Sequence, residues 1–245
     1  MTACILAATL LAQPQVEEVL RSLDQLYRSN DSHATIEMHI VTEHWERTLT
    51  MESWSKGEDK TFIVVHSPAR ETGSATLRID TEMWNYSPNT NSTVRIPPSM
   101  MTGSWMGSDL TNNDIVKEIT YAEDYTAEYI EGPSSGDGAL GVLYLKLTPK
   151  ASTAVVWAYI ECAVGETPLL PLWERYYDRH GELIKTITFS DVQEMDGRTI
   201  PTTMIIQPAD KPGQSTTITW SDASFNRGVS DDVFSLANLQ SGSSR

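Results

Sequence analysis

Acid–base and metal chemistry have few candidate side chains in this chain, and those few are scattered. Five histidines are present. His39, His44 and His66 fall on or beside neighbouring expected strands, where imidazoles could converge on a metal ion. No HxH or HExxH spacing supports such a site, so they read as isolated strand and turn histidines, as do His33 and His180. Asp109 and Asp114 could pair as acid and base, but helix capping explains them more simply. Gly107-Ser108 lies outside any GxSxG nucleophile elbow, and no Gly-rich phosphate loop is present. The two cysteines, Cys4 and Cys162, form no CxxC or thiolate metal motif. The chain is therefore expected to be non-enzymatic, with no catalytic residue, no metal ligand and no cofactor.

The clustered chemistry is apolar. Nine Met and seven Trp are present, and their placement is uneven. Met83, Trp84 and Tyr86 precede a stretch that holds Met100, Met101, Trp105 and Met106. Methionine adapts its shape to irregular surfaces, and Trp covers a large apolar area. Gly103, Ser104, Gly107 and Ser108 separate these side chains and make the stretch a deformable lid. A greasy lid over a curved sheet would hide acyl methylenes from water at roughly 0.8 kcal/mol each. It would equally well plug its own barrel and bind nothing. The candidate ligand-facing residues are Ile36, Met38, Ile40 and Met51, then Phe62, Val64, Trp84 and Tyr86. Met100, Met101, Trp105 and Met106 complete the set from the lid.

Positioning these residues falls to one large β domain. Forty per cent of the 245 residues are apolar, which suffices for a sizeable core. Ala3 to Ala12 read ACILAATLLA, too short to span a bilayer and similar to the apolar region of a signal peptide. No Lys or Arg precedes Arg21, so residues 1–12 are expected to be a truncated signal with the start misplaced, the alternative being a buried N-terminal helix. Gln15 to Tyr27 form an amphipathic helix, with Val16, Val19, Leu20, Leu23 and Leu26 on one face.

From Ala34 the period changes to two. Strands are expected over 36–40, 49–54, 61–66, 75–79, 82–86 and 94–96. Further strands are expected over 142–147, 153–162, 172–178, 182–192, 199–207 and 216–224. Ser99 to Val116 is a loop with one or two short helices. Ser134 to Gly138 is a loop tip, and 241–245 a flexible tail. Short turns at Asp80-Thr81, Arg179-His180-Gly181, Asp196-Gly197-Arg198 and Pro212-Gly213 make neighbours antiparallel. About a dozen strands in one sheet must curl or split. The net charge of −15 is spread along the chain. It argues against nucleic acid and against docking on anionic lipid surfaces.

Three segments carry a family resemblance. They are Met83-Trp84-Asn85-Tyr86-Ser87-Pro88, Val94 to Met101 (VRIPPSMM) and Ser104 to Asp114 (SWMGSDLTNND). Looser matches follow in Tyr176-Tyr177-Asp178, Gly181 to Lys185, Phe189 to Val192, Gly197 to Pro201 and Asp231 to Phe234. The chain resembles the outer-membrane lipoprotein-sorting proteins, the superfamily of the lipoprotein carrier LolA and its receptor LolB. The resemblance implies a mainly β fold: a half-open antiparallel barrel of about eleven strands, with an N-terminal helix and short helices or loop over its concave face. Residues 13–240 would form that single domain. It also implies a periplasmic, monomeric carrier that shields lipoprotein acyl chains or another lipid, with an inner-membrane export complex as a partner. Such carriers latch their lid with an arginine; Arg47, Arg70, Arg78 and Arg95 are all candidates here.

Overall fold

The computed structural model describes residues 13–27, 29–116, 120–132, 141–153 and 155–241. The expected signal segment with Cys4, the loop tip at 134–138 and residues 242–245 lie outside them. One antiparallel sheet of 13 strands organises the described residues. Its first half comprises β1 (Asp31–Val41), β2 (Glu46–Lys56), β3 (Lys60–Ser67), β4 (Ala75–Ile79), β5 (Glu82–Ser87) and β6 (Ser92–Arg95). The second half begins with β7 (Tyr125–Tyr129), β8 (Val142–Pro149), β9 (Tyr159–Glu166) and β10 (Leu169–Tyr177). It continues through β11 (Leu183–Met195), β12 (Arg198–Pro208) and β13 (Ser215–Phe225). Each half is a meander, and β1 pairs with β13 to join them. The sheet is open, ending at the short strands β6 and β7. Short edges limit the ladder left unpaired. It is the half-open barrel that the resemblance implies.

Local sequence sets the turns. Asp196 and Gly197 both take positive φ between β11 and β12, the requirement of a tight two-residue hairpin. Asp80 does the same between β4 and β5. Two expectations change. A strand expected over 153–162 begins at Tyr159 and runs to Glu166. Trp157 leaves the ladder to pack in the core, its indole N–H donating to the Tyr125 hydroxyl at 2.9 Å. The strand β7 has no counterpart in the expected set, because its five residues follow directly on a short helix, α3 (Tyr121–Asp124).

Three packed layers result. The helix α1 (Val16–Gln25) buries Val19, Leu20 and Leu23 against the inner face of β8 to β12, beside Leu145, Ile160, Cys162 and Ile206. Asp24 ties α1 to α3: its carboxylate accepts from the backbone N–H of Tyr121 (2.7 Å) and Ala122 (3.0 Å). A strap from Ile96 through a short helix α2 (Asn112–Val116) covers the inner face of β1 to β5 and β13. The helix α4 (Leu236–Ser241) packs on the outer face, where Leu239 and Phe234 meet Trp54, Phe62, Val64, Ala75 and Leu77. Among the described residues, no helix is long and apolar enough to cross a membrane.

Candidate functional site

Strand parity builds the apolar floor of the site. Alternate residues of a strand share a face, so Ile36, Met38 and Ile40 of β1 point inward together. Met38 lies between Leu49 of β2 and Ile218 of β13, and Ile36 between Met51 and Trp220. Ile63 and Val65 of β3 and Met83 of β5 extend this floor. It continues through Met204 and Leu110 into the apolar cluster under α1.

The strap lies on this floor, and Trp105 anchors it. Its side chain is 2% exposed, and its indole N–H donates to the Thr76 hydroxyl at 3.2 Å. That hydroxyl donates onward to the Asn85 side-chain oxygen at 2.8 Å. Met101 and Met106 pack beside Trp105, whereas Met100 is 54% exposed. Met106 and Gly107 take positive φ in succession, and the strap there passes over Trp45 and Arg47. A Cβ on Gly107 would stand 3.5 Å from the Trp45 ring.

Polar contacts close the strap's borders. Arg47 donates to the Met106 carbonyl and pairs with Glu71 at 3.0 Å. The Thr216 hydroxyl donates to the Asp109 carboxylate at 2.8 Å and accepts from the Asp109 backbone N–H at 2.9 Å. Asp114 accepts from the Thr111 backbone N–H and hydroxyl at 2.8 and 2.9 Å, holding the start of α2. Asp109 and Asp114 are thus engaged in separate strap contacts. Of the four candidate arginines, Arg47 is the one that grips the strap backbone. Arg70 pairs with Glu71 and Arg95 with Glu82, while Arg78 donates to the carbonyls of Glu58 and Asp80.

The structure brings Ile36, Met38, Ile40, Met51, Met101, Trp105 and Met106 into one cluster. Phe62, Val64, Trp84 and Tyr86 are corrected to the opposite face, in the cluster under α4. The segment TFIVVH is apolar at every central position, so its pattern carries no parity to tell Phe62 and Val64 from Ile63 and Val65. Ile63 and Val65 are its inward residues. Met83, rather than Trp84, faces inward for the same reason. His66 and His33 both contact Glu52, at 2.8 and 3.3 Å, whereas His39 meets Thr48.

Sequence reasoning missed a polar centre in the other half. Glu174 of β10 is 3% exposed and inward-facing. Its carboxylate accepts from the Tyr121 and Tyr176 hydroxyls, each at 2.6 Å. Burial pushes the Glu174 carboxyl above its ordinary value, while the two tyrosine hydrogen bonds and Lys185 oppose that rise. Burial also pushes the Cys162 thiol up, which makes it an unreactive core residue. Tyr121 and Glu174 are far apart in the chain, and no spacing motif links them.

A family model described as "Uncharacterized protein" matches residues 57–241. No curated protein matches the chain. Among solved structures, a DUF1329 family protein from Desulfovibrio piger has a TM-score of 0.79 at 28% identity, covering 91% of this chain and 97% of that one. A domain described as outer membrane lipoprotein-sorting, from Vibrio parahaemolyticus, has a TM-score of 0.73 at 24% identity, covering 91% and 97%. A LolA superfamily protein from Nitrosomonas europaea has a TM-score of 0.71 at 21% identity, covering 91% and 98%. These likenesses in fold match this chain almost end to end.

Proposed function

We propose that this chain, which belongs to the family whose model matches residues 57–241 and shares its fold with LolA superfamily proteins, is a periplasmic lipid carrier. In this reading it is non-enzymatic and monomeric. It shields lipoprotein acyl chains, or those of another lipid, between the inner-face floor and the strap during transfer toward the outer membrane. An inner-membrane export complex would hand over the cargo. The observation that carries the proposal is the strap itself. Its side chains Met101, Trp105 and Met106 cover an apolar floor, while its borders are held by isolated polar contacts.

Magnitudes set a threshold for the cargo. Displacing the strap breaks the four hydrogen bonds that tie it to the sheet, at about 1 kcal/mol each. It also uncovers three large side chains at roughly 2 kcal/mol each. About a dozen methylenes, at roughly 0.8 kcal/mol each, offset that cost. Long-chain or diacyl ligands should therefore bind, and short-chain ones should not.

The test is titration of the purified protein with fluorescent acyl probes of increasing chain length, alongside mass spectrometry of lipid retained by the native protein. One probe per chain is expected above the threshold length, with Met101→Asp weakening uptake without unfolding the chain. Hydrogen exchange in residues 98–116 should rise on binding, and that in 16–25 should stay constant. A folded sample that takes up no probe of any length would sink the carrier reading.

A further inference from the structure

At the strap's first turn, a cavity of about 640 Å³ opens beside β4 and β5. Its size falls within the roughly 300–1,000 Å³ typical of small-molecule sites. One wall is apolar and made by Ile96, Pro98 and Met101. Ile96 and Met101 also pack against the inner-face floor, so this cavity adjoins the apolar track under the strap. The facing wall is charged, with Arg78 and Arg95 set among Glu58, Asp80 and Glu82.

The two cations differ in kind. Arg78 is 6% exposed and anchored by the carbonyls of Glu58 and Asp80, so its charge is fixed in place. Arg95 is exposed and paired with the half-exposed Glu82; such a pair is worth little and opens readily. Two cations beside three carboxylates do not complement a purely anionic group. The chain's net charge of −15 further disfavours an anionic ligand at a distance. A neutral group would leave the charged wall unused. A head carrying one phosphate and one primary ammonium matches both signs. The phosphate would take guanidinium N–H groups, and the ammonium would donate to carboxylates.

We propose that this cavity is the head-group site for a zwitterionic phospholipid-type amphiphile of the phosphoethanolamine class, whose acyl chain enters beneath the strap. The assignment rests on the carrier reading above and adds the polar half of the ligand. The carboxylates Glu58, Asp80 and Glu82 rank the head groups, and the apolar wall of Ile96, Pro98 and Met101 carries the first methylenes.

The test is displacement of a bound fluorescent acyl probe from the purified chain by three single-chain amphiphiles of equal chain length. They are lysophosphatidylethanolamine, lysophosphatidylglycerol and a monoacylglycerol. The zwitterionic lipid should displace the probe at a concentration about tenfold lower than either competitor. Arg95→Glu on the edge strand β6 and Glu82→Lys on β5 should each abolish that preference in a chain that still folds. Equal displacement by all three lipids, a preference for the anionic one, or a preference unmoved by both variants overturns the head-group site and leaves the carrier reading standing. A folded chain that binds neither probe nor amphiphile overturns both.

Discussion

Under α1 and α3, the inner face is closed by a buried carboxylate that two tyrosines satisfy from different elements, and by Asp24 capping α3 from α1. Across β1 to β5, the same face is closed by Trp105 and methionines, with polar contacts at the strap's borders. Both halves are apolar clusters on one continuous sheet. They differ in what opening would leave behind. Lifting α3 would take the Tyr121 hydroxyl away from a buried carboxyl group, a cost of about 1–3 kcal/mol. Lifting the strap exposes apolar surface that an acyl chain can re-cover. One half is thus a fixed brace and the other a replaceable cover.

Cutting the brace should have the largest effect. Glu174→Ala leaves two buried tyrosine hydroxyls without an acceptor and should lower unfolding free energy by about 2–4 kcal/mol, measured by urea denaturation. A loss below about 1 kcal/mol would erase the contrast between the halves. Next comes Trp105→Ala. A core Trp bound into the whole fold would cost about 3–5 kcal/mol. A locally opening strap predicts about 1 kcal/mol globally, with hydrogen-exchange protection lost over 98–116 and kept over 16–25.

The pH dependence sharpens the brace. The folded-state pKa of Glu174 is raised above its ordinary value of 4.5 by burial. Its contribution to stability is therefore full below about pH 4.5 and is lost as pH rises through the raised folded value. Glu174→Gln keeps an acceptor and removes the titration. Unfolding curves should show the variant gaining on the parent as pH rises, and parallel pH profiles would contradict this. The smallest effect belongs to Arg47→Ala. It should speed hydrogen exchange around Met106 while changing global stability by less than about 1 kcal/mol.

Much of this was legible locally. The period-two alternation of Ile36, Met38 and Ile40 marks one shared face of β1, and the three meet in one apolar cluster. Asp196-Gly197 announced its hairpin because few residues other than Gly, Asn and Asp tolerate positive φ. The helix spacing of Val19, Leu20 and Leu23 marked the buried face of α1. Parity failed on β3 and β5, where Phe62 and Ile63, and Met83 and Trp84, are apolar neighbours facing opposite sides. A run that is apolar on both faces signals burial by two layers, and the outer layer is α4, which had not been anticipated.

By itself the sequence determined most strands and α1, the turn chemistry and the uneven placement of Met and Trp, because each depends on neighbours within a few positions; β7 and α4 it did not show. Tertiary structure alone decided which face each strand turns inward. It chose Arg47 from four candidate arginines as the residue gripping the strap, and it brought Tyr121 to Glu174. Those outcomes depend on register and on contacts between distant segments. A one-residue shift in register inverts a strand while leaving its composition untouched.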